Sequence, residues 1–260
     1  MPTFLFDKII FGPVRSRRLG NSLGINLLPS TGKLCNFNCI YCECGWTGNL
    51  NTSHEKLPTR QEVYHALDHK LERMKENNNP PDVITFAGNG EPTLHPEFPG
   101  IIDDCIELRD KYFPDTRIAV LSNSTTITRP GIKEALLKVD QNILKLDSAF
   151  DLTVKIHNQP RVNIRVNGLV EDLKNLKGQL IIQTMFVRGT ISGNIVDNTT
   201  EEELDAWLRA LKTINPSEVM IYTISRDTPD GSILKKVPAS ELKRIAEMVN
   251  NLGIKTQVSA

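Results

Sequence analysis

Short apolar runs recur along the chain at Gly24–Leu28, Val83–Ala87, Ile118–Leu121, Ile143–Leu146, Leu180–Phe186 and Val219–Ile224. Most are apolar almost without interruption, the pattern of strands covered on both faces in a parallel sheet. The stretches between them read as amphipathic helices. Thr59 and Glu62 form a capping box. Val63, Ala66, Leu67, Leu71 and Met74 follow at helical spacing, and Pro80-Pro81 blocks continuation. Leu204, Trp207, Leu208 and Leu211 mark another helix. Leu242, Ile245, Val249 and Leu252 mark a third, with Gly253 as its C-cap. No internal repeat, low-complexity tract or linker is visible. Strand–helix alternation predicts an α/β fold with right-handed crossovers. Six units fall short of the eight of a closed barrel. The expected architecture is therefore a partial parallel (β/α)6 barrel, with an open six-unit sheet as the alternative. Residues 1–260 read as a single domain, with 1–23 as an N-terminal extension packed near the barrel mouth.

Composition narrows the setting. Of 260 residues, 31 are Lys or Arg and 31 are Asp or Glu, a balance that argues weakly against a large nucleic-acid footprint. No segment approaches the ~20 apolar residues of a membrane span. Met1–Phe11 carries Asp7 and Lys8 and does not read as a signal peptide. The five cysteines are an odd number, and four of them crowd between positions 35 and 44. That is not a secreted disulfide framework, so a reducing cytoplasm is expected. Arg15, Arg17 and Arg18 form a local cluster. It reads equally as a solvated loop or as a contact for a carboxylate or phosphate.

Cys35, Cys39 and Cys42 stand at C-x3-C-x2-C spacing. Three thiolates on one short loop can wrap a soft metal centre. A [4Fe–4S] cluster usually takes four protein ligands, so three would leave one iron open. Zinc is the competing reading, with Cys44 or His54 as fourth ligand, but no second knuckle follows. Cys105, among Ile101, Ile102, Ile106 and Leu108, reads as a core residue. The expected topology carries chemistry at the carboxyl ends of the strands. The Cys loop, the Gly88–Pro92 turn, Ser122-Asn123, Asp147-Ser148, Arg188 and Arg226 then follow successive strands onto one rim. Gly88 and Gly90 permit positive φ or close backbone approach. Glu91 offers a carboxylate for a substrate ammonium.

The cysteine motif, with Tyr41 before its last member, resembles the cluster motif of the radical S-adenosylmethionine superfamily. Asn89-Gly90-Glu91-Pro92 resembles that superfamily's Gly-Gly-Glu-Pro motif, with Asn in place of the first Gly. Asn tolerates left-handed backbone better than most residues. The segment Phe11–Gly20 resembles a subgroup of small iron–sulfur oxidoreductases, similar at a distance to wyosine-base synthases. The specific motifs lie within residues 11–98.

The resemblance implies a fold of the radical SAM type and a [4Fe–4S] cluster on Cys35, Cys39 and Cys42. S-adenosyl-L-methionine would chelate the open iron. One electron, from a donor such as flavodoxin or ferredoxin, would cleave it to a 5′-deoxyadenosyl radical that abstracts hydrogen from a substrate. It further implies that Tyr41 lies near adenine, that Gly90 and Glu91 hold the methionyl ammonium, and that Asn89 belongs to the same cofactor-binding turn. Ser122 and Asn123 would meet the ribose or carboxylate. Asp147 would contact the cofactor or else cap a helix. Arg17, Arg18, Gln183 and Arg226 are the candidate substrate residues. Gln183 also reads as a satisfied buried amide, and Arg226 as a partner of Asp227 or Asp230. No histidine is assigned as a base, and no catalytic side chain is named. The substrate is open: a small molecule or nucleotide, a partner protein in an activase, or transfer RNA. The non-enzymatic alternative is a zinc-stabilised interaction domain.

Overall fold

The computed structural model describes residues 4–48, 56–225 and 234–260. Its strands and helices alternate as β1 (Ile10–Ser16), β2 (Gly20–Ile25), α1 (Arg60–Glu76), β3 (Val83–Phe86), α2 (Phe98–Tyr112), β4 (Arg117–Ser122), α3 (Ile132–Lys138), β5 (Gln141–Lys145), α4 (Asp151–His157), α5 (Val166–Lys174), β6 (Ile181–Ile191), β7 (Asn194–Asp197), α6 (Glu201–Ile214), β8 (Glu218–Thr223), β9 (Leu234–Lys236), α7 (Ala239–Asn250) and β10 (Lys255–Ser259). The sheet runs β1-β2-β3-β4-β5-β6-β8-β10. From β2 to β10 every neighbouring pair is parallel. The sheet does not close on itself, and the fold is an α/β partial barrel of the expected kind.

The apolar runs are buried because both faces are covered: all four residues of β3 are buried. Helices pack outside, where Leu67, Leu71, Ile102, Leu108, Trp207 and Leu242 meet the sheet in one large core. Inside the barrel, Leu19, Val83, Ala119, Ile143, Ile181 and Met220 form a small apolar floor. The interior above it is more polar, with Ser22 and Thr85 sharing a hydrogen bond of 2.8 Å.

Several boundaries differ from the pattern reading. The first barrel strand starts at Gly20, not Gly24, because polar Asn21 and Ser22 belong to it. It ends at Ile25, where Asn26 turns the chain by bonding to the backbone of Leu28. A seventh parallel strand, β10, was hidden by its polar Lys255, Thr256 and Gln257 at the sheet edge. β6 runs past Phe186 to Ile191 and pairs antiparallel with β7 and β9. Arg188 therefore lies within a strand, paired with Asp197 and Glu241, and not at a strand end. Leu252 lies beyond α7 and is exposed. The cap of α7 is Asn251, while Gly253 takes positive φ in the turn that follows. The capping box of α1 forms between Thr59 and Glu62 as expected.

α4 ends on His157, whose ring is 1% exposed. Neither of its nitrogens has a hydrogen-bond partner among the described residues. Burial lowers its pKa. The unfolded chain, with His near 6.5, then binds more protons than the folded one between the two pKa values. This contribution to stability is complete above about pH 6.5 and is lost as pH falls toward the folded value. His95 shifts the same way through burial. Replacing His157 by Leu should change stability near neutral pH by about 1 kcal/mol or less, since no hydrogen bond is lost. It should also flatten, without abolishing, the acid limb. Urea unfolding across pH checks both; an unchanged acid limb would exclude His157 as a contributor.

Candidate cofactor site at the strand ends

The cysteine loop is held between two backbone seams. On one side Leu34 forms a parallel bridge with Gly90: Leu34 N–H donates to Asn89 O at 2.9 Å, and Glu91 N–H donates to Leu34 O at 3.0 Å. Gly90 has φ +142°, and a Cβ there would sit 1.9 Å from Leu34 O. Only glycine lets the strands approach this closely. On the other side Phe37 bridges Pro160, and the N–H groups of Asn38 and Ile40 donate to Asn158 O and His157 O, each at 2.9 Å.

Between the seams lies a cavity of about 210 Å³ lined by Cys35, Cys39, Cys42 and Cys44 together with Lys33, Glu91 and Lys145. Burial pushes the Cys35 thiol up to about 12 and raises Cys39. Cys42 is shifted down by a hydrogen bond with Cys44 and by the Lys33 ammonium, while Cys44 is shifted up by the same bond and by burial. Lys33 is 7% exposed. Burial works against its charge, but the facing Cys42, Cys35 and Cys39 raise its pKa. Amide donors also reach the sulfurs: Asn158 Nδ2 to Cys39 Sγ at 3.4 Å and Phe37 N to Cys35 Sγ at 3.4 Å. Buried thiols with adjacent ammonium and amide donors suit a soft metal centre carrying thiolate charge. Among the described residues no group of three or more His, Cys, Asp or Glu is already arranged to hold a metal ion; Cys35, Cys39 and Cys42 border one common cavity.

Asp147 and Lys145, at the end of β5, form a buried network behind the loop. Lys145 Nζ is 3.4 Å from Asp147 Oδ2 and 2.8 Å from Tyr41 Oη. Tyr41 Oη also donates to Asp147, which accepts from Asn158 Nδ2 at 2.7 Å and Met185 N at 3.0 Å. Burial opposes both charges, yet each holds the other: Asp147 lies below the ordinary carboxylate range and Lys145 above the ordinary ammonium range. Glu91, 2% exposed, accepts from Asn123 N at 2.6 Å and Thr93 Oγ1 at 2.5 Å. Burial raises its pKa despite these bonds, so a cation brought to the cavity would restore favourable charge.

A model of the Radical SAM superfamily matches residues 30–170. The chain belongs to the radical SAM superfamily. It is 30% identical over 254 residues to a UPF0026 protein of Methanocaldococcus jannaschii, covering 96% of this chain and 74% of that one. It is 33% identical over 231 residues to a GTPase Obg of Brachyspira hyodysenteriae, covering 86% of this chain but spanning only 31% of that protein. Among solved structures it is similar to a radical SAM methyltransferase from Sphaerobacter thermophilus (TM-score 0.65, 15% identity, 92% of this chain and 65% of that one). It is also similar to the wyosine synthase TYW1 with a lysine–pyruvate adduct bound (TM-score 0.60, 14% identity, 88% and 73%). These structural likenesses are of fold. Superfamily membership makes the chain an enzyme of radical S-adenosylmethionine chemistry, which employs an iron–sulfur centre.

The cavity between the seams gathers most of the expected residues. Cys35, Cys39, Cys42, Tyr41, Gly90, Glu91, Ser122, Asn123 and Gln183 all line it. Asn89 does not. Its side chain is fully buried and bonds Phe6 N, Phe6 O and Pro29 O. Asn therefore serves here as a clamp on the N-terminal segment; positive φ belongs to Gly88 and Gly90 instead. Asp147 caps no helix; Ser148 Oγ accepts from Phe150 N at the start of α4. Asn123 Nδ2 donates to Asn36 Oδ1 at 2.6 Å, and Asn123 Oδ1 accepts from Thr125 N, so it also stabilises its turn.

A second cavity of about 300 Å³ adjoins the first and shares Ala87 and Leu121 with it. Arg18 lines it and donates to Gln183 Oε1 at 2.9 Å. Arg17 reaches Ala260 O at 3.2 Å, and Gln257 Nε2 donates to Arg18 O at 2.9 Å, so the β1–β2 turn spans toward β10 across the open side of the barrel. Arg226 lies outside the described residues. Lys33, Lys145, Asn36 and Asn158 were not singled out from sequence. A lysine interrupting the apolar run Ile143–Leu146 beside Asp147 is a legible signal. Lys33 and Asn36 flank Cys35 in sequence, whereas Asn158 reaches the thiols by tertiary contact alone.

Proposed function

We propose that the protein holds a [4Fe–4S] cluster on Cys35, Cys39 and Cys42, binds S-adenosyl-L-methionine beside it, and abstracts a hydrogen atom from a small molecule or nucleotide in the adjoining cavity. The observation that carries this reading is the opening of three loop thiols and the buried Glu91 carboxylate into one cavity. When bound, the cluster and S-adenosylmethionine supply a 5′-deoxyadenosyl radical through one-electron cleavage of a carbon–sulfur bond. The protein's part is placement and exclusion of side reactions. Glu91, fixed by Asn123 N–H and Thr93, receives the methionyl ammonium. Tyr41, held by Lys145 and Asp147, keeps its backbone and ring fixed beside Cys42 for the adenine. Ser122 and Asn123 offer polar contacts to the ribose or carboxylate. Lys33 and Lys145 offset thiolate charge. A donor such as flavodoxin or ferredoxin provides the electron, and a reducing cytoplasm suits the reactive sulfurs.

The test is anaerobic reconstitution followed by electron paramagnetic resonance of the reduced cluster with added S-adenosylmethionine. The wild-type signal should change on binding. Glu91→Gln should need about tenfold more cofactor for the same change, the worth of one charge-assisted contact. An intact wild-type cluster whose signal ignores saturating cofactor would overturn the proposal. Absence of any iron–sulfur absorbance after reconstitution would favour the zinc domain.

A further inference from the structure

The second cavity has a composition of its own. Its described lining includes Arg15, Arg17 and Arg18 against a single acid, Glu43. The chain as a whole is charge-balanced, so the excess is local. Its wall is aromatic: the Phe6 and Phe11 rings stack with centroids 3.5 Å apart, and Phe4 meets Phe6 edge-on at 5.0 Å. Phe11 packs against Gly24, where a Cβ would come within 2.0 Å of the tip of the ring. This wall is anchored by Phe4 N–H on Glu43 O and by the Asn89 clamp on Phe6.

Arg18 is the most constrained of the three arginines. Its guanidinium stands over the Tyr222 ring, 4.5 Å from the centroid, and one Nη1–H is spent on Gln183 Oε1. A guanidinium has five N–H donors. No other side-chain bond and no carboxylate partner of Arg18 exists among the described residues, and the Arg15 side chain bonds to none of them. A half-buried guanidinium, oriented by stacking and by an amide yet unpaired in charge among the described residues, is prepared for a planar or tetrahedral oxyanion. Gln183, its anchor, lines the thiol cavity.

We infer that this cavity takes a small organic anion, its carboxylate or phosphate held by Arg18 and Arg15 and its apolar body against the Phe6 and Phe11 rings. The shared walls Ala87 and Leu121 then set that ligand directly beside the thiol cavity. This assignment rests on the proposed function for its meaning as a substrate site, though the site itself is defined without the cluster. Arg17 is assigned no anion contact, because its guanidinium is exposed and directed at Ala260 O, 3.2 Å away.

The experiment is calorimetric titration of the reconstituted protein with benzoate, phenyl phosphate and the neutral isostere benzamide. At least one anion should bind about tenfold or more tightly than benzamide, and the better of the two identifies the headgroup. Arg18→Gln and Arg15→Gln should each remove most of that preference, whereas Arg209→Gln, on the outer helix α6, should leave it intact. Arg15 is exposed and its side chain bonds to no described residue, so its variant remains interpretable should Arg18→Gln prove unstable. Equal binding of anion and isostere, no binding of either anion up to its solubility, or an unchanged preference in both arginine variants would overturn the inference. The cluster's resonance response to S-adenosylmethionine, read on the same samples, reports the proposed function separately. A normal response without anion preference sinks only this site, and anion preference without a response sinks only that function.

Discussion

Alanine at Cys35, Cys39 or Cys42 is expected to leave a folded protein that assembles no stable iron–sulfur cluster. Each thiolate would hold a different iron, and protein ligation of such clusters is by cysteine. Removing one would expose a second iron where the proposed ligand set leaves one open. Anaerobically reconstituted wild type should carry about four irons per chain, and each of these three variants should fall to near background in iron content and visible absorbance. Cys44→Ala and Cys105→Ala should retain the cluster. Cys44 lines the cavity but its thiol donates to Gly88 O at 3.4 Å, and one residue separates it from Cys42, too little chain to reach a separate iron. Cys105 is 1% exposed in the α2 face of the main core. Loss of the cluster in Cys44→Ala with retention in Cys35→Ala would reverse the ligand assignment.

Gly90→Ala is expected to be the most destabilising single-methyl change in the site. The new Cβ would lie 1.9 Å from the backbone oxygen of Leu34, and the residue would have to keep φ +142°. Backbone cannot swing aside as a side-chain tip can, so the Leu34–Gly90 bridge must open. The cost should be about 3 kcal/mol or more, read as a lower urea midpoint. Gly32→Ala provides the control: nothing lies within 4 Å of its Cβ position and its φ is ordinary. It should fall within about 0.5 kcal/mol of wild type. Because Leu34 leads directly into Cys35, Gly90→Ala should also lower iron incorporation at matched folded fraction. A Gly90→Ala protein as stable as Gly32→Ala would mean that the two segments are not in contact.

Continuous apolar runs announced the inner strands, because a strand buried on both faces has little room for polar residues. The α1 capping box and the amphipathic character of α2, α6 and α7 were legible for a related reason: their contacts are local or periodic. The cysteine spacing and the Gly88–Pro92 turn marked the site, since chemistry confined to one short loop is written in consecutive residues. Edge structure was not legible. β1, β7, β9 and β10 carry polar residues that a half-covered edge tolerates, so nothing in their composition demands burial.

What only the tertiary structure decided is the wiring between segments distant in sequence. Lys145 and Asn158 meet Tyr41 across more than a hundred positions. Asn89 turns from a presumed left-handed turn residue into a clamp on Phe6. Arg18, one of three neighbouring arginines, is singled out by Gln183 and Tyr222. Spacing along a chain reports which residues can share a loop, strand face or helix face. Which buried amide meets which sulfur, and which arginine keeps its charge unpaired beside a cavity, depends on how separate strands are brought into register, and no local pattern encodes that.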